Sequence, residues 1–203
     1  MKPHAITICL SVAALSLTTA SAQTLSNDAL VKALQLGGQV IVMRHASSPR
    51  ETPDAKTVNA DNPTHERQLD QTGQTTAIAM GKALHQLQIP IGQVFSSPTY
   101  RALETAHLAQ FPKPITVAEL SENGQSMAAT TDTQSEWLKK KVTVLPKGTN
   151  TLIVTHLPNI TRAFPQWSSG LADGEALVFG PDGKGSITLL GRVKIEDWPK
   201  LHP

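Results

Sequence analysis

Short apolar runs rich in β-branched residues recur along this chain, with stretches of helical spacing between them. Residues 40–43, 91–95 and 151–155 read as buried strands. Residues 72–87 place Ala77, Met80, Ala83, Leu84 and Leu87 on one helical face. Ser26 followed by 29–34 and Gly37-Gly38 predicts a capped helix with a glycine stop. Ser97-Pro98 predicts the start of another, with Ser97 as cap and Pro98 at the first helical position. Its packed face would hold Ala102, Thr105, Ala106 and Ala109. Helices are also expected over 133–144 and 158–167, and a hairpin over 176–195 turning at 181–185. Residues 46–63 lack a hydrophobic period and read as a long loop. This alternation predicts a three-layer α/β/α sandwich around a largely parallel sheet.

In such sheets ligands bind beyond the carboxyl ends of the strands, so the residues that follow each strand matter most. The first strand leads into Arg44-His45, the next into Ser96-Ser97-Pro98-Thr99-Tyr100-Arg101, and the run 151–155 into His156. Two histidines and two arginines are thereby predicted to meet at one edge. Arginine offers a planar fork of donors that suits phosphate oxygens, and a neutral imidazole with a fixed tautomer can attack phosphorus. One histidine can be a nucleophile and the other a phosphate clamp. The remaining histidines His65, His85, His107 and His202 read as surface residues, Glu104 as a structural ion pair, Arg67 as a loop-fixing salt bridge or a substrate contact, and Trp137, Trp167 and Trp198 as packing. Neither His-Glu-x-x-His nor paired-cysteine spacing occurs, so no zinc site is expected.

Four ordered segments resemble the histidine phosphatase superfamily, whose fold is phosphoglycerate-mutase-like. Arg44-His45-Ala46 is similar to its Arg-His-Gly motif, and Glu66-Arg67-Gln68-Leu69-Asp70-Gln71-Thr72-Gly73 to the segment before its first long helix. The run from Ser96 to Ala106 resembles the second-arginine motif, and Leu152-Ile153-Val154-Thr155-His156 the second-histidine motif. The resemblance implies that His45 is phosphorylated, that Arg44, Arg101 and His156 bind the phosphoryl group, that Ser48 is a further contact, and that neither metal nor other cofactor takes part. Ala46 replaces the usual glycine, which requires negative φ there. A subset resembling protein-phosphohistidine phosphatases also carries alanine. Leu157, not aspartate, follows His156, which sets the chain apart from the acid-phosphatase and phytase branch. In the other branch a glutamate after the second-arginine helix donates the proton; Glu122, which Asn123-Gly124 follows in a predicted exposed turn, is the first choice and Glu119 the second.

At 203 residues the chain suits one domain. Lys2, the apolar stretch 5–17 and Ala20-Ser21-Ala22 form the pattern of a secretory signal peptide over 1–22, leaving a single domain over 23–203 in the periplasm or outside the cell. The apolar stretch is short of the roughly 20 residues of a membrane span, so none is expected after cleavage. Cys9, the only cysteine, lies in this leader, so the mature chain has no disulfide and no cysteine nucleophile. A net charge of +2 without a dense basic run argues against nucleic acid; Lys139-Lys140-Lys141 reads as the wet face of a helix. The expected activity is a metal-independent phosphomonoesterase acting on a small-molecule or envelope phosphate ester. The alternatives are a phosphoglycerate-type mutase, whose substrates are cytosolic, and a non-catalytic phosphate-binding protein. Substrate identity and oligomeric state stay open.

Overall fold

The computed structural model describes residues 24–122 and 131–202. The predicted signal peptide and the Asn123-Gly124 turn lie outside these. Helices α1 (Asn27–Leu36), α2 (Gln71–Gln86), α3 (Tyr100–Leu108), α4 (Asp132–Val142) and α5 (Leu157–Ala163) alternate with strands β1 (Val40–Arg44), β2 (Ile91–Ser96), β3 (Ile115–Thr116) and β4 (Asn150–Thr155). The hairpin β5 (Ala176–Pro181) and β6 (Ile187–Val193) follows. Together they form a six-stranded sheet in the order β3-β2-β4-β1-β5-β6. The first four in that order run parallel, and the hairpin continues antiparallel from β1.

The period of two along each strand divides the core into two layers. Ile41, Met43, Leu152, Val154 and Val178 face α1, α2 and α3 through Leu30, Met80 and Ala106. Val40, Val42, Ile153, Leu177 and Phe179 face the opposite side, against Leu138 of α4 and Ile160 of α5. The three-layer sandwich with a largely parallel sheet is therefore as predicted. β4 is buried along its whole length and inserts between β1 and β2, so the carboxyl ends of these three strands lie side by side. At this reversal of strand order the connections diverge and leave a crevice.

Local signals hold for α1, where Ser26 accepts from the Ala29 amide at 3.4 Å and Gly37 turns out at φ 73°. They fail at α3. Thr99 occupies the cap position and the helix starts at Tyr100, so Pro98 lies outside it. Ser97 is instead held by its backbone to β4, donating to the Val154 carbonyl at 2.9 Å. α4 ends two residues earlier than predicted, and α5 stops at Ala163, ahead of Pro165. The short edge strand β3 and the 3-10 turns Ala118–Leu120 and Ile195–Lys200 carried no sequence signal. The last of these seats Trp198, at 1% exposure, in the layer beneath α2. No helix among the described residues is long and apolar enough to cross a membrane.

Candidate active site

β1 delivers His45 directly. Its amide donates to the Thr155 carbonyl of β4 at 2.9 Å, and its carbonyl accepts from Gly174 N–H at 2.9 Å. The ring is 3% exposed. Nδ1 lies 2.8 Å from the Ala46 carbonyl, which can only accept, so Nδ1 carries the hydrogen. Nε2 accepts from Arg101 Nε–H at 3.2 Å, so it carries no hydrogen and its lone pair is directed at Arg101. Burial, more than offsetting the Ala46 carbonyl and reinforced by Arg101, Arg44 and Arg67, lowers the pKa of His45 to about 3. The imidazole is therefore neutral with a fixed tautomer, as a nitrogen nucleophile requires.

Arg101, in the first turn of α3, joins the rest of the floor. Its NH2 group donates to His156 Nδ1 at 3.2 Å and pairs closely with Glu122 Oε1. His156, fully buried at the end of β4, donates from Nε2 to Ser97 Oγ at 2.9 Å, since the Ser97 hydroxyl itself points to Thr99 Oγ1. Burial, with His45 and Arg101 nearby, holds His156 well below its usual pKa. The two imidazoles cross at 64° with centroids 5.2 Å apart. Glu122 Oε2 lies 3.4 Å from His156 Nδ1, and Arg67 NH1 is 4.0 Å from Glu122 Oε1.

The loop after β1 is clamped from below. Asp70 caps α2 by accepting from Gly73 N–H at 2.7 Å, and its other oxygen takes the Ser47 hydroxyl at 2.7 Å. A Cβ at Gly73 would strike the Ser47 carbonyl, so only glycine lets helix and loop meet here. Thr105 accepts from the Ala46 amide at 3.1 Å and donates to the Arg101 carbonyl at 2.8 Å, tying both arms of the site together. Ala46 has negative φ, as its replacement of glycine requires. Glu104 makes no ion pair among the described residues. It accepts from the Leu69 amide at 2.8 Å and from Asn59 at 2.9 Å, and burial raises its pKa.

Above the floor opens a pocket of about 450 Å³. Arg44, His45, Ser48, Arg67 and Glu122 line it, so the predicted residues do come together, with Arg101 and His156 beneath. Glu119 makes no side-chain bond into it among the described residues; its carbonyl accepts from Asn159 at 3.2 Å. Ser48 donates its hydroxyl to the Gln68 carbonyl at 2.8 Å. Arg67 bonds loop carbonyls, Pro49 at 2.7 Å and Ser48 at 3.2 Å, rather than making the predicted salt bridge as its main tie. Arg44 pairs with Asp173 at 2.5 Å, while its buried Nε has no hydrogen-bond partner among the described residues. Asp173, Ser97 and Thr105 were not foreseen as site residues. The Asp173-Gly174 turn signal was present, but nothing local connects it to Arg44.

A neutral histidine of fixed tautomer, a second histidine and two arginines gathered at one pocket define the class of the histidine phosphatases. The family model of the histidine phosphatase superfamily (branch 1) matches residues 40–142, and the chain belongs to this family. Curated proteins show no sequence match. Among solved structures, the protein histidine phosphatase SixA complexed with tungstate is 18% identical, over 78% of this chain and 98% of that one, with a TM-score of 0.55. A phosphoserine phosphatase mutant from Entamoeba histolytica in complex with phosphoserine is 12% identical over 78% and 98%, with a TM-score of 0.53. YhfR from Bacillus stearothermophilus is 17% identical over 74% and 94%, also at 0.53. These likenesses establish the shared fold.

Proposed function

We propose that the chain is an exported phosphomonoesterase that works through a phosphohistidine on His45. The observation that carries this reading is the His45 ring: Nδ1–H bound to the Ala46 carbonyl, Nε2 unprotonated and in contact with Arg101. Nε2 attacks phosphorus and the bond from phosphorus to the alcohol oxygen breaks. Arg44, Arg101 and the His156 side of the floor take the non-bridging oxygens. Arg101 must turn its donors from Nε2 and Glu122 to the phosphoryl group as the substrate enters. Glu122, released by Arg101 and having taken the proton that the monoanionic ester carries in, gives that proton to the leaving alkoxide. A water then attacks phosphorus, its proton passes to Glu122, and the P–N bond breaks. Throughout, the Ala46 carbonyl supports the imidazole as positive charge develops. Glu122, not Glu119, is favoured as the donor because its carboxyl group reaches Arg101 and His156.

Export is supported by the leader pattern at 1–22. N-terminal sequencing of protein from its native host should start near Gln23; a full-length cytoplasmic protein would return the mutase reading to consideration. The chemical reading is tested by trapping. Rapid quench with a labelled phosphate ester should give a protein adduct that is labile in acid and stable in base, as a phosphoramidate is. An acid-stable adduct, or none under single-turnover conditions with product forming, would exclude the phosphohistidine.

A further inference from the structure

The pocket is larger than one phosphoryl group needs and falls in the size range of small-molecule sites, at about 450 Å³. Its wall carries three guanidinium groups, Arg44, Arg50 and Arg67, against two carboxylates, Glu122 and Asp173. Arg44 is paired with Asp173. Arg67 commits Nε and NH2 to loop carbonyls and turns NH1 toward Glu122. Arg50 is different: it lines the pocket, is exposed, and its side chain has no hydrogen bond or ion pair to any described residue. Its place on the wall is nonetheless built. The carbonyls that Arg67 holds belong to Ser48 and Pro49, the two residues immediately before it. The same arginine that approaches the phosphoryl seat through Glu122 therefore fixes the backbone from which Arg50 projects.

A lone arginine on a loop is usually just solvated. This one adds a positive charge that no described carboxylate pairs with, to a site where Asp173 answers Arg44 and the single carboxylate of Glu122 is shared by Arg101 and Arg67. We infer that Arg50 is a specificity-determining residue that recognises a second anionic group, a carboxylate or a further phosphate, on the alcohol side of the phosphate ester. The inference rests on the reading of this pocket as the phosphoryl site. A guanidinium fork suits either anion, and the apolar pair Leu157 and Pro158 on the same pocket wall leaves the carbon skeleton between the two anions an apolar surface to lie on.

Binding of non-hydrolysable probes tests it without relying on turnover. Three butyl phosphonates that end in a hydroxyl, a carboxylate or a second phosphonate are titrated into the mature protein by calorimetry. The two anionic probes should bind about tenfold more tightly than the hydroxyl probe, and the preference should shrink as salt is raised. The stronger of the two names the second anion. Arg50→Ala should collapse the preference to less than about twofold and Arg50→Lys should keep part of it. Equal affinity of all three probes, or a preference that survives in Arg50→Ala, overturns the inference. A protein that shows the Arg50-dependent preference but turns over no phosphate ester would instead remove the phosphatase reading and leave the recognition standing. Failure of every phosphonate to bind removes both.

Discussion

The floor and the rim of this pocket are built on different principles. On the floor, His45, Arg101 and His156 are almost fully buried and hold one another through bonds of 3.2 Å. They project from a strand end, a helix start and a strand end, with backbones fixed by the sheet. On the rim, Arg44 and Asp173 are partly exposed and joined by a single ion pair, and Arg50 has no partner among the described residues. Buried, fully bonded groups lose little further freedom in a reaction, while exposed pairs exchange partners at small cost. The floor is therefore suited to chemistry common to any phosphate ester, and the rim to telling one ester from another.

If this division is right, removing the floor's centre should have the largest effect. His45→Ala should lower turnover by about 10⁴-fold or more while circular dichroism and thermal unfolding show an intact fold. Retained turnover would show that the nucleophile lies elsewhere. Glu122, which bridges floor and rim, should matter in proportion to how much the leaving group needs a proton. Glu122→Gln should cost roughly 10²-fold on an alkyl phosphate and much less on p-nitrophenyl phosphate. Equal losses on both substrates would assign Glu122 to charge balance instead of proton transfer.

The floor should also announce itself in the pH dependence of stability. Both histidines are held neutral by burial, with His45 at about 3 and His156 also well below its normal range. The unfolded chain takes up protons on them once pH drops below about 6.5, while the folded chain does not. Stability is therefore full above that pH and falls as pH goes from about 6.5 toward 3, by up to about 1.4 kcal/mol per pH unit for each histidine. His45→Gln should flatten the slope of melting temperature against pH in this window, and an unchanged slope would contradict the neutral, buried assignment. The rim should show the mildest response. Asp173→Asn frees Arg44 without removing it, so a change of only a few-fold, mainly in KM, is expected. A loss as large as that of Glu122→Gln would move Asp173 into the chemistry.

The same contrast explains what could be read from the sequence. Arg44-His45 and His156 stand at the ends of apolar runs, and Arg101 opens a helix, so the parallel-sheet pattern alone placed them at one edge. Asp173 reaches Arg44 across 129 positions, a meeting set by the β1–β5 pairing and the turn before β5, which no local pattern encodes. Ser97 was misread because Ser-Pro before a helical stretch is a good cap signal, whereas here the strand register draws Ser97 onto His156 and leaves the cap to Thr99. Of the glutamates at 119 and 122, the sequence ranked Glu122 first only through the turn signal of Asn123-Gly124, which says nothing of where either side chain points. Three residues of 3-10 turn, whose Leu120 carbonyl accepts the buried Thr155 hydroxyl at 2.8 Å, aim one of them inward.

The contact between Glu122 and Arg101 has a consequence for the end of the catalytic cycle. Its carboxylate leans on the same guanidinium that a phosphoryl group needs, with His156 Nδ1 on its other oxygen. The protein thus carries its own tethered rival for the anion seat, present at a high effective concentration because it is part of the chain. On the proposed hydrolysis, this rival would reclaim Arg101 once inorganic phosphate has formed and so favour release of the product.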